Sequence, residues 1–113
     1  MLDDISSVTL QVALSGLAQR QQVSANNIAN TETPNFTASK VSFESSLADA
    51  VRNGDPAAAS ISTGGTGDAA GANGNNVSLD SEFVTATKTT LQEQLLTSAL
   101  TSKYGELSTV LKG

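Results

Sequence analysis

The carboxylates offer the first candidates for chemistry. Asp80 lies two residues before Glu82, and Asp3 stands beside Asp4. A pair of acids in a cleft can share a proton or cleave a glycosidic bond. Both pairs, however, stand where long helices begin, and there acids are stabilised by the helix dipole without any catalytic role. The chain holds no Cys and no His. That removes thiolate nucleophiles, disulfides, Ser–His triads and most zinc sites. Gly64-Gly65-Thr66-Gly67 and Gly71-Ala72-Asn73-Gly74 look superficially like phosphate loops. They lack both the GxGxxG spacing and a following Gly-Lys-Ser/Thr, so no nucleotide site is expected. No cofactor, no metal and no enzyme activity are expected from these residues.

The remaining polar candidates are amides. Asn26, Asn27 and Asn30 cluster with Ala25, Ile28 and Ala29 just before Thr33-Pro34. Asn is a poor residue inside a helix, because its side chain competes for backbone hydrogen bonds. Three of them so close together are expected to hydrogen-bond to backbone across subunits rather than face water.

Two long helices must carry these groups. The first is predicted from about Asp4 to Asn30, capped by Asp3, Asp4 or Ser6 and stopped before Pro34. At 1.5 Å per residue it would span roughly 40 Å. The second begins near Val77–Ser78, with Glu82 in its first turn, and runs to about Leu111. Its many Thr residues and Gly105 weaken it intrinsically, so packing must hold it. Between the helices, Phe36 to Val51 is ambiguous between a short strand and a helical turn. From about residue 48 to 76 the chain is rich in Ala, Gly and Asn, and is expected to be a flexible loop. The fold expected is therefore all-α, with the two long helices joined by a short extended segment and that loop. Residues 1–34 form the first helix and its Asn-rich end, 35–77 the connection, and 78–113 the second helix.

At 100° per residue each helix shows two apolar stripes. On the first, Leu10, Leu14, Leu17 and Ile28 oppose Ile5, Val8, Val12 and Val23. On the second, Val84, Leu91 and Leu95 oppose Leu96, Leu100, Tyr104, Leu107 and Leu111. Two stripes need two neighbours, and a chain with only two long helices is expected to find the second neighbour in other molecules.

The 113-residue chain has a net charge of −5, 38% hydrophobic and 4% aromatic residues. Its six Lys and Arg form no patch, which argues against nucleic acid as a partner. No small-molecule substrate is suggested either. The acidic start lacks the basic region of a secretory signal, and no apolar run approaches a membrane span.

Two stretches carry a resemblance. Gln21 to Phe36, read as QQVSANNIANTETPNF, is similar to the N-terminal signature of the rod and hook proteins of bacterial flagella, with Asn35-Phe36 in place of the usual Gly-Tyr. The segment Asn73 to Glu82, containing Asn75, Asn76, Val77, Leu79 and Glu82, resembles the start of the last helix in rod proteins of the FlgB type. The resemblance covers both ends and leaves the Gly-rich loop unmatched. It implies a structural subunit of the proximal rod, whose terminal helices pair as a coiled coil and pack into a tube that transmits torque. It also implies passage through the flagellar export apparatus without a cleaved signal, and a place on the periplasmic side of the inner membrane. The implied neighbours are copies of itself, rod proteins of the FlgC and FlgF types, the FliE adaptor and the FliF ring. The competing readings are a non-flagellar helical adaptor and a secreted helical hairpin of the WXG type, which would need a Trp-x-Gly turn that is missing here.

Overall fold

Helix α1 covers Leu2–Ala29 and is followed by strand β1, Ser39–Ser42, and helix α2, Glu44–Arg52. A 3-10 turn at Pro56–Ala58 leads to strand β2, Ser62–Gly65, and then to helix α3, Leu79–Lys112. The computed structural model describes the backbone of residues 2–112 and the side chains of residues 5–103 and Gly105. The predicted stripe residues Tyr104, Leu107 and Leu111 lie outside the described side chains.

The expectation of an all-α coiled coil joined by a loose loop is overturned. Strands β1 and β2 pair antiparallel, Ser39 opposite Gly65 through Ser42 opposite Ser62, and a third helix, α2, stands between them in sequence. The Gly-rich stretch escapes an apolar-pattern reading because Ser62-Thr63-Gly64-Gly65 pairs through its backbone, which requires no apolar side chain. Among the described residues, the start of α3 does not meet α1 along an apolar seam. Towards the start of α3 the buried residues on its α1-facing side are Glu82 and Thr89, and Gln21 Nε2 donates to Thr90 Oγ1 at 2.8 Å.

The core explains why α1 carries two stripes. Leu17, Val41, Phe43 and Leu47 form its buried centre, with Val12, Ala13, Val23, Ala59, Ile61 and Leu96 packed around it. One flank of α1 meets α3, and the other is covered by β1, α2 and the 3-10 turn. Val12 and Val23, on the second stripe, pack against the cluster that includes Val41, Phe43 and Leu47 of this chain's own middle segment. Hydrophobic burial decides this: a large apolar side chain gains about 1.5–3 kcal/mol when covered, so the middle segment folds onto the stripe.

Gly16 is what lets the middle segment sit so close. A Cβ at Gly16 would lie 2.5 Å from Cδ1 of the Phe43 ring, far inside van der Waals contact. On the next turn, Arg20 stacks over the same ring, its guanidinium carbon 4.9 Å from the centroid. The guanidinium also grips Glu44 with both arms at 2.7 Å and donates to the Val41 carbonyl at 2.7 Å. A single Arg thus fastens α1 to β1 and to the first turn of α2.

Candidate functional site

The two sequence motifs meet in space, and the contact is polar. Helix α1 presents Ser24 and Asn27 on one face, three residues apart, as helical spacing requires. Opposite them, the first turn of α3 presents Glu82, which is only 8% exposed. Ser24 Oγ donates to Glu82 Oε2 at 2.7 Å, and Asn27 Nδ2 donates to Glu82 Oε1 at 2.9 Å. Each carboxylate oxygen therefore has its own donor, which is how a buried acid is made tolerable.

Asn27 does more. Its Nδ2 also donates to the Ser39 carbonyl at 2.8 Å, and its Oδ1 accepts from the Ser39 amide at 3.1 Å. The carboxamide imitates a neighbouring strand, taking both backbone groups of one β1 residue. With Arg20 on the Val41 carbonyl, the outer edge of β1 is closed by side chains from α1, which blocks pairing there. Asn27 is 1% exposed. The cross-subunit bonding expected of this amide is thus replaced by bonding within the chain.

The turn after α1 is held from the far motif. Asn75 Nδ2 donates to the carbonyls of Asn30 and Thr33, both at 2.8 Å, and its Oδ1 accepts from the Val77 amide at 2.8 Å. Asn76 Oδ1 accepts from the Ala38 amide at 2.6 Å, and Asn76 Nδ2 donates to the Asp68 carbonyl at 3.0 Å. The Asn35 amide donates to the Asn73 carbonyl at 3.0 Å. Asn35 adopts a left-handed φ of 61°, which Asn tolerates better than other side chains, and it leans so closely on Gly74 that a Cβ there would collide with it. Asn30 Nδ2 donates to the Asn26 carbonyl at 2.8 Å, and Thr33 Oγ1 donates to Asn30 Oδ1 at 3.0 Å. The helix end is closed by its own amides.

The other motif residues take peripheral places. Ala25, Asn26, Ala29, Thr33 and Pro34 are exposed, while Ile28 and Val77 are half-buried and Leu79 is 39% exposed. Among the stripe residues, Leu17 is buried, and Leu10, Val12, Leu14, Val23 and Leu100 are half-buried. Leu91 and Leu95 are 61% and 70% exposed, and beside them Phe83 and Val84 are 57% and 67% exposed. The start of α3 is therefore turned so that its polar face meets α1 and its apolar face meets solvent.

Sequence reading missed Ser24, Gln21, Thr89, Arg20 and Phe43 as structural residues. For Ser24 and Gln21 the available signal was their spacing from Asn27, three and six residues away on the same helix. Arg20, Phe43 and Glu44 show no local pattern that pairs them.

The electrostatics concentrate on one pair. The hydrogen bonds from Arg20 hold the Glu44 carboxyl well below its ordinary range, at about 2, against a smaller opposing effect of burial. Among the described residues, no group of three or more acidic, His or Cys side chains could hold a metal ion, and no helix is long and apolar enough to cross a membrane. The arrangement is a set of fasteners joining α1, β1 and α3, with an apolar ridge left outside.

A family model described as flagella basal body rod protein matches residues 9–37. Over 117 aligned residues the chain is 35% identical to the flagellar basal body rod protein FlgB of Bacillus subtilis (strain 168), covering 92% of this chain and 91% of that protein. It is 31% identical to the protein of the same name from Borreliella burgdorferi over 118 residues, covering 85% and 87% respectively. A shorter match to the same protein of Borrelia hermsii reaches 57% identity over 37 residues, or 33% of this chain and 27% of that one.

Proposed function

The chain belongs to the flagellar basal-body rod proteins of the FlgB type, and on that premise we propose how it takes its place in the rod. It is a structural subunit of the flagellar rod, the role its relatives' names carry. We propose that it lies in the proximal rod, on the periplasmic side of the inner membrane, and arrives through the flagellar export apparatus with its N-terminus uncleaved. Its neighbours in this reading are further copies of itself, rod proteins of the FlgC and FlgF types, the FliE adaptor and the FliF ring. Residues 1–34 and 78–113 serve as the assembling helices and 35–77 as the connection that braces them. The chain acts as a building element and is not an enzyme.

One observation carries this reading: Phe83, Val84, Leu91 and Leu95 are each more than half exposed on one side of α3. Scattered apolar side chains are normal on a surface, but a contiguous ridge of four large ones marks an interaction face. The polar residues that α3 turns towards α1 leave this ridge free for a neighbour.

Mass spectrometry of purified hook–basal bodies from the source bacterium tests the reading. Peptides from α1 and α3 are expected at levels comparable with those of other rod proteins. Their absence, in a preparation where other rod proteins are found, would replace the rod subunit with a helical adaptor.

A further inference from the structure

Asn is followed directly by Gly at two places, Asn53-Gly54 and Asn73-Gly74. This dipeptide can rearrange without an enzyme: the glycine nitrogen attacks the carbonyl carbon of the Asn side chain. Gly favours the attack because it has no Cβ to hinder a close approach. The fold treats the two sites differently.

Asn73 is exposed, yet its groups are held. Its Oδ1 accepts from the Asn75 amide at 3.1 Å, and its carbonyl accepts from the Asn35 amide at 3.0 Å. The Gly74 amide donates to the Gly71 carbonyl at 2.9 Å, and Gly74 abuts the Asn35 side chain. Neither the attacking nitrogen nor the carboxamide can turn without breaking several of these contacts.

Asn53-Gly54 ends α2. Gly54 takes a left-handed φ of 75°. Its amide donates to the Val51 carbonyl at 2.9 Å, and the Asp55 amide donates to the Ala50 carbonyl at 2.8 Å. These are the paired bonds of a Schellman cap. Both residues are exposed, and the Asn53 side chain makes no hydrogen bond among the described residues. A Cβ on Gly54 would meet nothing within 4 Å, so the peptide has room to swing. Only the cap bonds restrain it, at the end of a nine-residue helix where local opening costs least.

We propose that Asn53 is a site of spontaneous succinimide formation, and that the fold protects Asn73 from the same reaction. Nothing in this chemistry depends on assembly into a rod. The Gly54 nitrogen bonds to Asn53 Cγ, and the carboxamide nitrogen leaves as ammonia, taking the Gly54 proton with it. Water then opens the ring. Breaking the bond from nitrogen to Cγ leaves aspartate. Breaking the bond from nitrogen to the main-chain carbonyl carbon leaves isoaspartate, whose backbone runs through Cγ. Ring closure removes the N–H that Val51 accepts, and isoaspartate lengthens the chain by one carbon just before the Asp55 amide. Either product adds a negative charge at the C-terminal end of α2, where the helix dipole disfavours it. The cap of α2 therefore loosens as the chain ages.

The purified chain is held in mildly alkaline buffer, native and in urea. Its peptides are then sequenced by electron-transfer fragmentation, which distinguishes isoaspartate from aspartate. In the native chain, acid is expected at residue 53 about tenfold or more faster than at residue 73. In urea the two rates should agree within about twofold, because the contacts that distinguish them are gone. Equal rates in the native chain, or a faster rate at residue 73, overturn the inference. So does a native chain unchanged at residue 53 while both sites react in urea. Asn35→Ala supplies an independent measurement, since it removes the side chain that abuts Gly74. The ratio of the rate at residue 73 to that at residue 53 should rise about threefold or more. An unchanged ratio counts against protection by the fold.

Discussion

Asn27 and Glu82 stand 55 residues apart in sequence and 2.9 Å apart in space, amide nitrogen to carboxylate oxygen. Their contact joins the end of α1 to the beginning of α3, and Ser24 completes it from the turn before. No apolar side chain could do the same work here, because Asn27 also serves both backbone groups of Ser39.

Glu82→Ala removes the carboxylate from two buried donors, leaving Ser24 Oγ only the residue-82 carbonyl at 3.3 Å and Asn27 Nδ2 only the Ser39 carbonyl at 2.8 Å. Taking a charged partner from a buried donor costs about 1–3 kcal/mol, so the substitution should remove about 2 kcal/mol or more. In a domain of this size that lowers Tm by roughly 8 °C or more. Glu82→Gln keeps an acceptor for one donor and should lose less than half as much. Thermal unfolding followed by circular dichroism separates the two, and equal losses would show that the carboxylate is not the organising group.

Gly16→Ala reverses the usual sign. In an exposed helix interior the change gains up to about 1 kcal/mol. Here the new methyl meets the Phe43 ring at 2.5 Å, and the expected result is a loss of about 1–3 kcal/mol. Urea unfolding measures it. Adding Phe43→Leu to Gly16→Ala should return part of the loss, since the two positions share one space.

The Arg20–Glu44 pair makes stability depend on pH at the acid end. The folded pKa of Glu44 is about 2, below its ordinary 4.5. The bound, charged form therefore stabilises the fold above about pH 4.5, and that contribution disappears as pH falls towards 2. The Glu44 side chain is 57% exposed, so solvent screening limits its size to about 1 kcal/mol. Urea midpoints at pH 6, 4 and 2.5 should show a drop that Glu44→Gln reduces. An unchanged slope in that variant would assign the acid sensitivity elsewhere.

Leu95→Glu separates assembly from folding. The side chain is 70% exposed, so the purified chain should unfold within about 0.5 kcal/mol of the wild type. Incorporation into basal bodies and swimming should nevertheless fail, because the charge would be buried in an intersubunit contact. Normal swimming would remove the ridge from the assembly surface.

The two long helices were legible because each has local signals: acidic first turns, an Asn-rich end, and Pro34 beyond it. Predicted as about Asp4 to Asn30 and Ser78 to Leu111, they occur as Leu2–Ala29 and Leu79–Lys112. Strand β2 was illegible, since Ser62-Thr63-Gly64-Gly65 alternates nothing and its partner residues lie 20 to 26 positions earlier. The Asn cluster announced itself through poor helix propensity, yet propensity says nothing of where an amide finds its partner. Asn27 finds it within the chain at Ser39 and Glu82, and Asn75 at the turn after α1. The apolar stripes were visible as periodicity, but periodicity could not tell that Val12 and Val23 face the middle segment while Leu91 and Leu95 face outward.

The Ser24–Glu82 and Asn27–Glu82 bonds close loops of 58 and 55 residues. β1 reaches α1 across only 12 residues at Asn27–Ser39, so the more distant α3 contacts are expected to form after β1 and α2 have condensed on α1. On that expectation the docking of α3 is the last step of folding and the first to be undone. Weakening the Glu82 fastener should accelerate unfolding while leaving the folding rate nearly unchanged. A chain built in this order keeps its second helix detachable, and with it the apolar ridge that α3 carries.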